Sequence, residues 1–375
     1  MTGSSTPYAT VKFVGIDLKS QVETIDVEDH DRAIDKAEVV FDSADDISQI
    51  MQEQTKVQIS LGWSDENALI FEGLVMSAKT EARSAGQARV RVVAFDLSYK
   101  MKQNKTKDRS FISGKLSDVL QAIVKDYSDI QVGQIAPGPD PTFSPKSPWS
   151  KISGQSDWDF VQEAALKWKA RVFVEVNNNT SQFYFVSEKQ LLSGKAMGVL
   201  HYCPGGVGPL ISFDVKKIGS GAAPVSGTTV IDPSTGQPVT QQSPPPPPDP
   251  PMQVSSDADA TVTQAATVIA QSPDQPADSR PKDVVAGQAS DPTRAQQNIQ
   301  QDPTRILGYS GDGLCRGTVM LRAKGKVTIM GLAPWVGADW YVHRVNHVYT
   351  RLVSTDKHGK PLNRSTYQTR FQATR

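Results

Sequence analysis

Four groups of residues in this chain have types and spacing that could do chemistry. His343 and His347 form a closely spaced pair that, in a helix, would lie one turn apart on one face and could share a zinc ion. The alternation of Tyr341, His343, Val345, His347 and Tyr349 predicts a strand instead. Four strand residues separate the rings by roughly 13 Å, too far for one ion to bridge, so both are read as structural or interface histidines. Asp157 and Asp159 suggest a carboxylate pair for glycoside cleavage, but their place at a helix start makes capping the better explanation. The stretch PGGVGP, Pro204 to Pro209, lacks the G-x-G-x-x-G spacing of a dinucleotide loop and reads as a turn. Cys203 and Cys315 stand in no CxxC and are read as packed or idle thiols. The sequence has no HExxH, GxSxG or Walker motif, and no catalytic, metal or cofactor residue is assigned.

The elements that would position such residues change character along the chain. From Tyr8 to about Met101 the segments TVKFVGIDL, VETIDVED, KAEVVFDS, KVQISLGW, LIFEGLVMSAKTEA and ARVRVVAFDL alternate apolar with polar positions between turn residues, which predicts a set of short antiparallel strands closing as a barrel or sandwich. A short helix over Ala44–Gln54 is expected within it. Residues 102–195 read as mixed α/β. Leu116, Val119, Leu120, Ile123, Val124 and Tyr127 draw one helical stripe. A second helix starts at Ser156 or Asp157, with Phe160, Val161, Ala164, Ala165 and Trp168 on its buried face and Gln162, Glu163, Lys167 and Lys169 outward. It runs almost directly into a strand (Val172, Val174, Val176), an NNNT turn and a second strand, Phe183–Val186. The basic run YKMKQNKTKDR, Tyr99 to Arg109, reads as a solvated interdomain loop.

At 375 residues the chain is long enough for two or three cores. Lys plus Arg and Asp plus Glu are equal at 40 each, so no global basic field exists to gather nucleic acid or an anionic membrane. No apolar run approaches the roughly 20 residues of a membrane helix, and the N-terminus lacks a signal-peptide pattern, so folding in a cytoplasm is expected. From Gly219 to about Gln301 there is no Phe, Tyr, Trp or Glu, and PPPPPDPP occupies Pro244 to Pro251. That composition predicts a linker or excursion with polyproline II character, with one short helix after Asp291 and Pro292. Strands return after it in TVMLRA, GKVTIMGL, DWYVHRVNHVYTRLV and STYQTRFQATR. Their order repeats that at the end of the first β portion: a Lys-Val-x-Ile strand, a long strand, then a closing aromatic-centred strand. The expected division is 1–101 for a first β-barrel domain, 102–195 for a middle α/β domain and 196–218 for the entry strand of a second barrel. The Pro-rich linker follows over 219–302, and the second barrel over 303–375.

The middle segments DRSFISGKLSDVLQAIVKDY, ISGQSDWDFVQEAALKWKARVFVEV and FYFVSE, with RAKGKVTIMGLAPWVGADWYVHRVNHVYTRLV and YQTRFQATR at the end, resemble the baseplate hub proteins of contractile phage tails and related injection systems. These are the late-control D protein family, the T4-type hub and the N-terminal part of VgrG proteins. The resemblance implies a mainly β fold with a small α/β part. It implies two related antiparallel β-barrel domains forming a ring in a homotrimer that adapts a sixfold tail tube to a threefold spike. Because the chain stops at Arg375, a separate spike protein is implied, and the partners expected are the tail tube, that spike and baseplate wedge or adaptor proteins, without nucleic acid. Such a chain is assembled in the bacterial cytoplasm and belongs to a virion or an extracellular or membrane-anchored injection particle. By analogy, Asp157, Trp158, Phe160, Trp168, Trp340, Tyr341, His347 and Phe371 are candidate structural or interface positions. Two other readings stand beside it: a hub-associated peptidoglycan hydrolase, and an adaptor recognised through its Pro-rich segment.

Overall fold

The computed structural model describes residues 6–14, 16–18, 22–42, 54–82, 88–106, 108–205, 208–217, 225–231, 238–242, 282–284, 309–355 and 361–375. The chain is mainly antiparallel β with few helices. Seven strands open it: β1 (Pro7–Phe13), β2 (Ile16–Asp17), β3 (Val22–His30), β4 (Lys36–Phe41), β5 (Lys56–Trp63), β6 (Asn67–Glu81) and β7 (Arg89–Asp96). They pair antiparallel in the order β3-β4-β7-β6-β5-β1-β2. The period-two pattern decides which face is inside: in β7, Val90, Val92 and Ala94 are buried while Arg89, Arg91 and Val93 are half-buried. TVKFVGIDL is a tight hairpin and not one strand, since Phe13 pairs with Ile16 and Val14 turns the chain at φ +47°. The helix expected over Ala44–Gln54 falls almost wholly outside the described residues.

The middle segment carries helix α1 (Ser98–Gln103), β8 (Ser110–Phe111), α2 (Leu116–Val124), β9 (Gln131–Ala136), β10 (Trp149–Ser150), α3 (Asp157–Lys167), β11 (Ala170–Asn177), β12 (Thr180–Ser187) and α4 (Glu188–Ser193). Strands β11 and β12 form a hairpin whose two-residue turn, Asn178 and Asn179, has both φ angles positive, and β9 lies parallel beside β12. Asparagine tolerates that left-handed conformation, which explains the NNNT turn. The near-absence of a turn between α3 and β11 is achieved by Lys169 alone, at φ +51°. The stripes read from sequence pack: Leu116, Val119, Leu120, Ile123, Val124, Phe160, Val161, Ala164 and Ala165 are all buried in one cluster with Trp168, Phe183 and Phe185. A correction concerns Tyr99 to Arg109. The run is a loop only in its second half: Ser98–Gln103 is helical with Met101 buried, Gln103, Lys105, Thr106 and Asp108 are exposed, and Arg109 is buried against the Asp157 carboxylate.

The rest of the chain contributes β13 (Ala196–His201), β14 (Leu210–Lys217), β15 (Val225–Ile231), β16 (Pro238–Gln242), β17 (Lys282–Val284), β18 (Tyr309–Arg316), β19 (Gly325–Met330), β20 (Ala338–Thr355) and β21 (Pro361–Thr374). Part of the segment expected to be a linker or excursion with polyproline II character is strand. β15 pairs antiparallel with β16 and parallel with β17, as the β-branched run Val225, Thr228, Thr229, Val230 and Ile231 favours. The proline run and the helix expected after Asp291 lie outside the described residues. TVMLRA is not a strand either. Thr318 to Lys324 turn instead, and the strand lies just before, in β18.

The chain divides into two compact units: residues 1–197, 314–325 and 342–371 form the first, and 198–313, 326–341 and 372–375 the second. In the first unit β20 extends the opening sheet by pairing with β3, Arg344 opposite His30 through Thr350 opposite Thr24. Tyr349 and Tyr367 complete the core around Phe13, Ile25, Phe41 and Ile59. At the other end of this sheet Trp63 of β5 donates from Nε1 to the Gly317 carbonyl (2.7 Å), with the Arg316 guanidinium over its ring and Tyr367 beside it. In the second unit Trp340 is buried edge-on against Phe213, its Nε1 donating to the Val336 carbonyl at 2.9 Å. β14 lies beside β18, and β13 beside β19.

Gly317 is one position where the first unit tolerates no side chain, since a Cβ there would stand 2.1 Å from the Tyr367 ring. Gly317→Ala is expected to cost about 1–3 kcal/mol of unfolding free energy through overpacking, measured by urea titration. A variant as stable as the parent would show that the Trp63–Gly317–Tyr367 contact does not define the packing.

Candidate functional site

Among the described residues no group of three or more His, Cys, Asp or Glu side chains could hold a metal ion. Buried charged side chains converge in several places of the first unit, and two clusters gather the most partners. The first is built on the parity of two strands. In β3, Ile25 and Val27 point inward and Asp29 follows in the same register, and in β7 Asp96 follows Val90, Val92 and Ala94. Each acid therefore enters the interior where another aliphatic residue would continue the core.

Three consecutive residues of the turn after β18 close on Asp29. Arg322 donates from Nε to Oδ2 at 3.0 Å, the Ala323 backbone N–H donates to the same oxygen at 3.0 Å, and Lys324 Nζ donates to Oδ1. Lys324 also reaches Asp35 Oδ2 at 3.1 Å, and its Nζ lies 5.0 Å from the centre of the Phe173 ring. The His30 N–H donates to Asp35 Oδ1 (2.9 Å), the Asp35 N–H to Asp96 Oδ2 (2.7 Å) and the Ser98 N–H to Asp96 Oδ1 (2.6 Å). Arg322 meanwhile pairs with Glu175 of β11 at 3.0 Å. Four carboxyl groups thus face two cations. Burial pushes Asp29 upward, but Lys324 and Arg322 outweigh it and hold its carboxylate well below the usual range. Burial, reinforced by the charges of Asp29 and Asp96, raises Asp35 well above that range. Burial raises Asp96 to about 6 against the hydrogen bonds from Ser98. Lys324 is driven upward by Asp29 and Asp35 in spite of its burial.

The second cluster is centred on Asp157. Ser156 is the N-cap of α3, its Oγ accepting from the Asp159 N–H at 3.0 Å, so the cap belongs to the serine. Asp157, fully buried, receives Arg109 through Nε (2.9 Å) and Nη2 (2.6 Å), Lys151 Nζ (2.9 Å), Tyr127 Oη (2.5 Å) and Asn104 Nδ2 (3.1 Å). Its burial alone would raise its pKa, and these donors reverse the shift. The capping explanation for the carboxylate pair is corrected accordingly: Asp159 remains at the first turn, paired with Lys102, and Asp157 is the anchor of a buried hub. No spacing rule separates these two roles two residues apart.

The remaining positions singled out by sequence are also interior. Trp158, Phe160 and Trp168 belong to the middle core, Trp340 and Tyr341 are buried in the second unit, and Phe371 is buried in the first. His347 is buried on β20, its Nδ1 against Tyr367 Oη at 2.9 Å, and burial, with Arg322 adding, lowers its pKa to about 3. These eight side chains pack within the protomer. The solvent side of the opening sheet is laced by cross-strand ion pairs instead: Arg344 with Glu28 (2.7 Å), Arg89 with Glu23 (2.8 Å), Arg91 with Glu38 and Glu81, and Arg351 with Asp42. Each such pair contributes a few tenths of a kcal/mol, about 0.2–1.

Removing the carboxylate of Asp157 leaves Arg109 and Lys151 buried without their counter-charge. Asp157→Asn is expected to lose about 3–5 kcal/mol of unfolding free energy, while Asp159→Asn, at a half-exposed first turn, loses less than about 1 kcal/mol. Equal losses in urea titrations would refute the hub. The raised carboxyls give a pH signature of definite sign. A group that binds its proton more tightly when folded stabilises the fold fully below its unfolded pKa, 3.8 for Asp96, and loses that contribution as pH rises through about 6. Asp29, held low, acts in the opposite sense and only at pH values below the ordinary carboxylate range. The urea midpoint is therefore expected to fall between about pH 4 and pH 6, and Asp96→Asn to flatten that fall. An unchanged slope in the variant would refute the assignment.

The family profile that matches the sequence is described as the Alg8 N-terminal domain and covers residues 10–180, less than half of the chain. No curated protein matches it. The chain superposes on a tail protein of Neisseria meningitidis with a TM-score of 0.65 at 11% identity, covering 99% of this chain and 97% of that one. It superposes on the tail protein of prophage MuSo2 from Shewanella oneidensis with a TM-score of 0.64 at 9% identity, covering 99% and 98%. A chain of the Francisella PdpA–VgrG complex matches with a TM-score of 0.59 at 11% identity, over 99% of this chain and 53% of that one. The fold of this chain is that of the phage tail proteins on which it superposes.

Proposed function

We propose that this chain is a structural component of a phage tail or contractile injection system, the baseplate hub. The observation that carries the reading is the end-to-end superposition on two tail proteins, which leaves neither chain with a large unmatched part. A fold alone does not fix a function. The interior of this one supports a structural role, because its buried ionisable groups are spent on one another: Asp29 on Arg322 and Lys324, Asp157 on Arg109 and Lys151. Among the described residues no helix is long and apolar enough to cross a membrane.

In this reading the hub is a homotrimer. Each subunit contributes two related β portions, so that three chains offer six quasi-equivalent surfaces to the tail tube and three identical ones to a separate spike. The charge-balanced ion-pair ladder over β20, β3, β4, β7 and β6 suits a ring face turned to water, where paired charges keep neighbouring strands from attracting foreign backbone. Wedge or adaptor proteins meet the middle segment from outside, and the particle is put together in the bacterial cytoplasm. The PdpA–VgrG complex is one case among similar structures in which a matching chain is recorded with another protein.

Native mass measurement of the full chain mixed with a spike protein of the same particle tests the reading. Three copies of this chain per complex are expected. A monomer, a dimer or a hexamer in the presence of the spike would overturn the hub.

A further inference from the structure

Two indoles of the second unit are used differently. Trp340 is buried, and its Nε1 donates to the Val336 carbonyl at 2.9 Å. Trp335 is 39% exposed, and among the described residues its indole N–H has no partner. Its ring centre lies 6.2 Å from that of Tyr309 at an interplanar angle of 43°, so the two rings make a shallow V. Backbone contacts fix both walls. The Tyr309 N–H donates to the Arg375 carbonyl (2.9 Å), the Arg375 N–H to the Tyr309 carbonyl (3.1 Å), and Arg375 Nη1 to the Trp335 carbonyl (2.9 Å). The Tyr309 hydroxyl likewise bonds to no described residue.

This surface is apolar in its walls and offers donors at its rim, an indole N–H and a phenolic O–H. A ligand that answers it has compact apolar rings and free carbonyl acceptors, with no N–H of its own to satisfy. A proline run has those properties. Each proline lacks the backbone N–H and keeps its carbonyl, and the polyproline II form, with three residues per turn, presents its rings to aromatic-lined grooves. The sequence holds one such run, PPPPPDPP, from Pro244 to Pro251.

We propose that the proline run of this chain docks on the Trp335–Tyr309 pair of the same molecule. Connectivity names the occupant. The run falls in the sequence range of the unit that holds both aromatic residues. The chain that carries it re-enters the described strands at Tyr309, the first residue of β18 and one wall of the V. A tether of this kind sets an effective concentration up to the order of millimolar, enough for a contact made by two rings and a few hydrogen bonds. The stiffness of a proline run lowers the ordering cost as well. The docking ties the excursion between β16 and β18 to the second unit and covers an aromatic surface otherwise open to water. It does not depend on the hub reading.

The test uses the full chain labelled with fluorotryptophan, with the Trp335 fluorine resonance assigned by its loss in Trp335→Phe. A second protein carries serine in place of all seven prolines of the run. The Trp335 resonance is expected to differ between the two proteins, and a synthetic Ser243–Pro251 peptide is expected to return it to the parent position in the serine protein. The parent, its site filled, is expected to bind the labelled peptide roughly tenfold or more weakly by fluorescence anisotropy. Trp335→Ser and Tyr309→Leu, each made in the serine protein and checked for an unchanged circular dichroism spectrum, are expected to abolish peptide binding. A Trp335 resonance in the same place in both proteins overturns the docking, as does peptide binding that survives both substitutions. A resonance position that moves with protein concentration assigns the run to a second copy and overturns the contact within one molecule.

Discussion

A carboxylate taken out of water must be met by charge or hydrogen bonds, and the first unit of this protein is organised around how that demand is answered at Asp29. Its partners come from a turn almost 300 residues away, so the opening sheet is complete only when the C-terminal part of the chain has returned to it. The same return delivers Tyr349 and Tyr367 to the apolar core and brings Gly317 against Trp63. Apolar contact supplies the larger share of the stabilisation and excludes a one-residue slip, which would turn Ile25 and Val27 outward with Asp29. The Asp29 clamp also excludes a two-residue slip, which keeps the apolar face inward but carries the acid away from Arg322 and Lys324.

The second buried hub does the same for the middle segment. Asp157 gathers Arg109 before β8, Lys151 after β10 and Tyr127 after α2, three pieces that share little regular structure with one another. Where the segment between α1 and α3 has only short strands, a saturated carboxylate substitutes for a ladder. Both hubs place the ionisable groups of this chain in internal service, and the solvent face of the sheet balances its charges pair by pair.

Much of this was legible beforehand, for local reasons. Strand alternation placed β3, β4, β5 and β7, helical spacing placed α2 and the buried face of α3, and the tyrosine–histidine alternation placed His347 on a strand. The resemblance to hub proteins agrees with the fold. Less legible was the hairpin at Val14, which lacks the usual turn residues at its first position, and the turn over Thr318 to Lys324, whose composition reads as strand. In the Pro-rich segment composition argued against structure, yet β-branched residues were enough to make a hairpin. The acids at Asp29 and Asp96 were detectable in principle, as charges falling on the inward parity of apolar strands.

The sequence by itself determined what each segment is, since propensity, periodicity and turn chemistry act over a few residues. Tertiary structure alone decided which charges meet. Asp157 and Asp159 are the same residue type two positions apart on one helix, and one is a buried hub while the other faces solvent, because only one of them finds Arg109 and Lys151 within reach. Lys324 carries no local mark that distinguishes it from any surface lysine. Its partners are set by the folding of strands hundreds of residues earlier, and electrostatic pairing acts through space without regard to sequence distance.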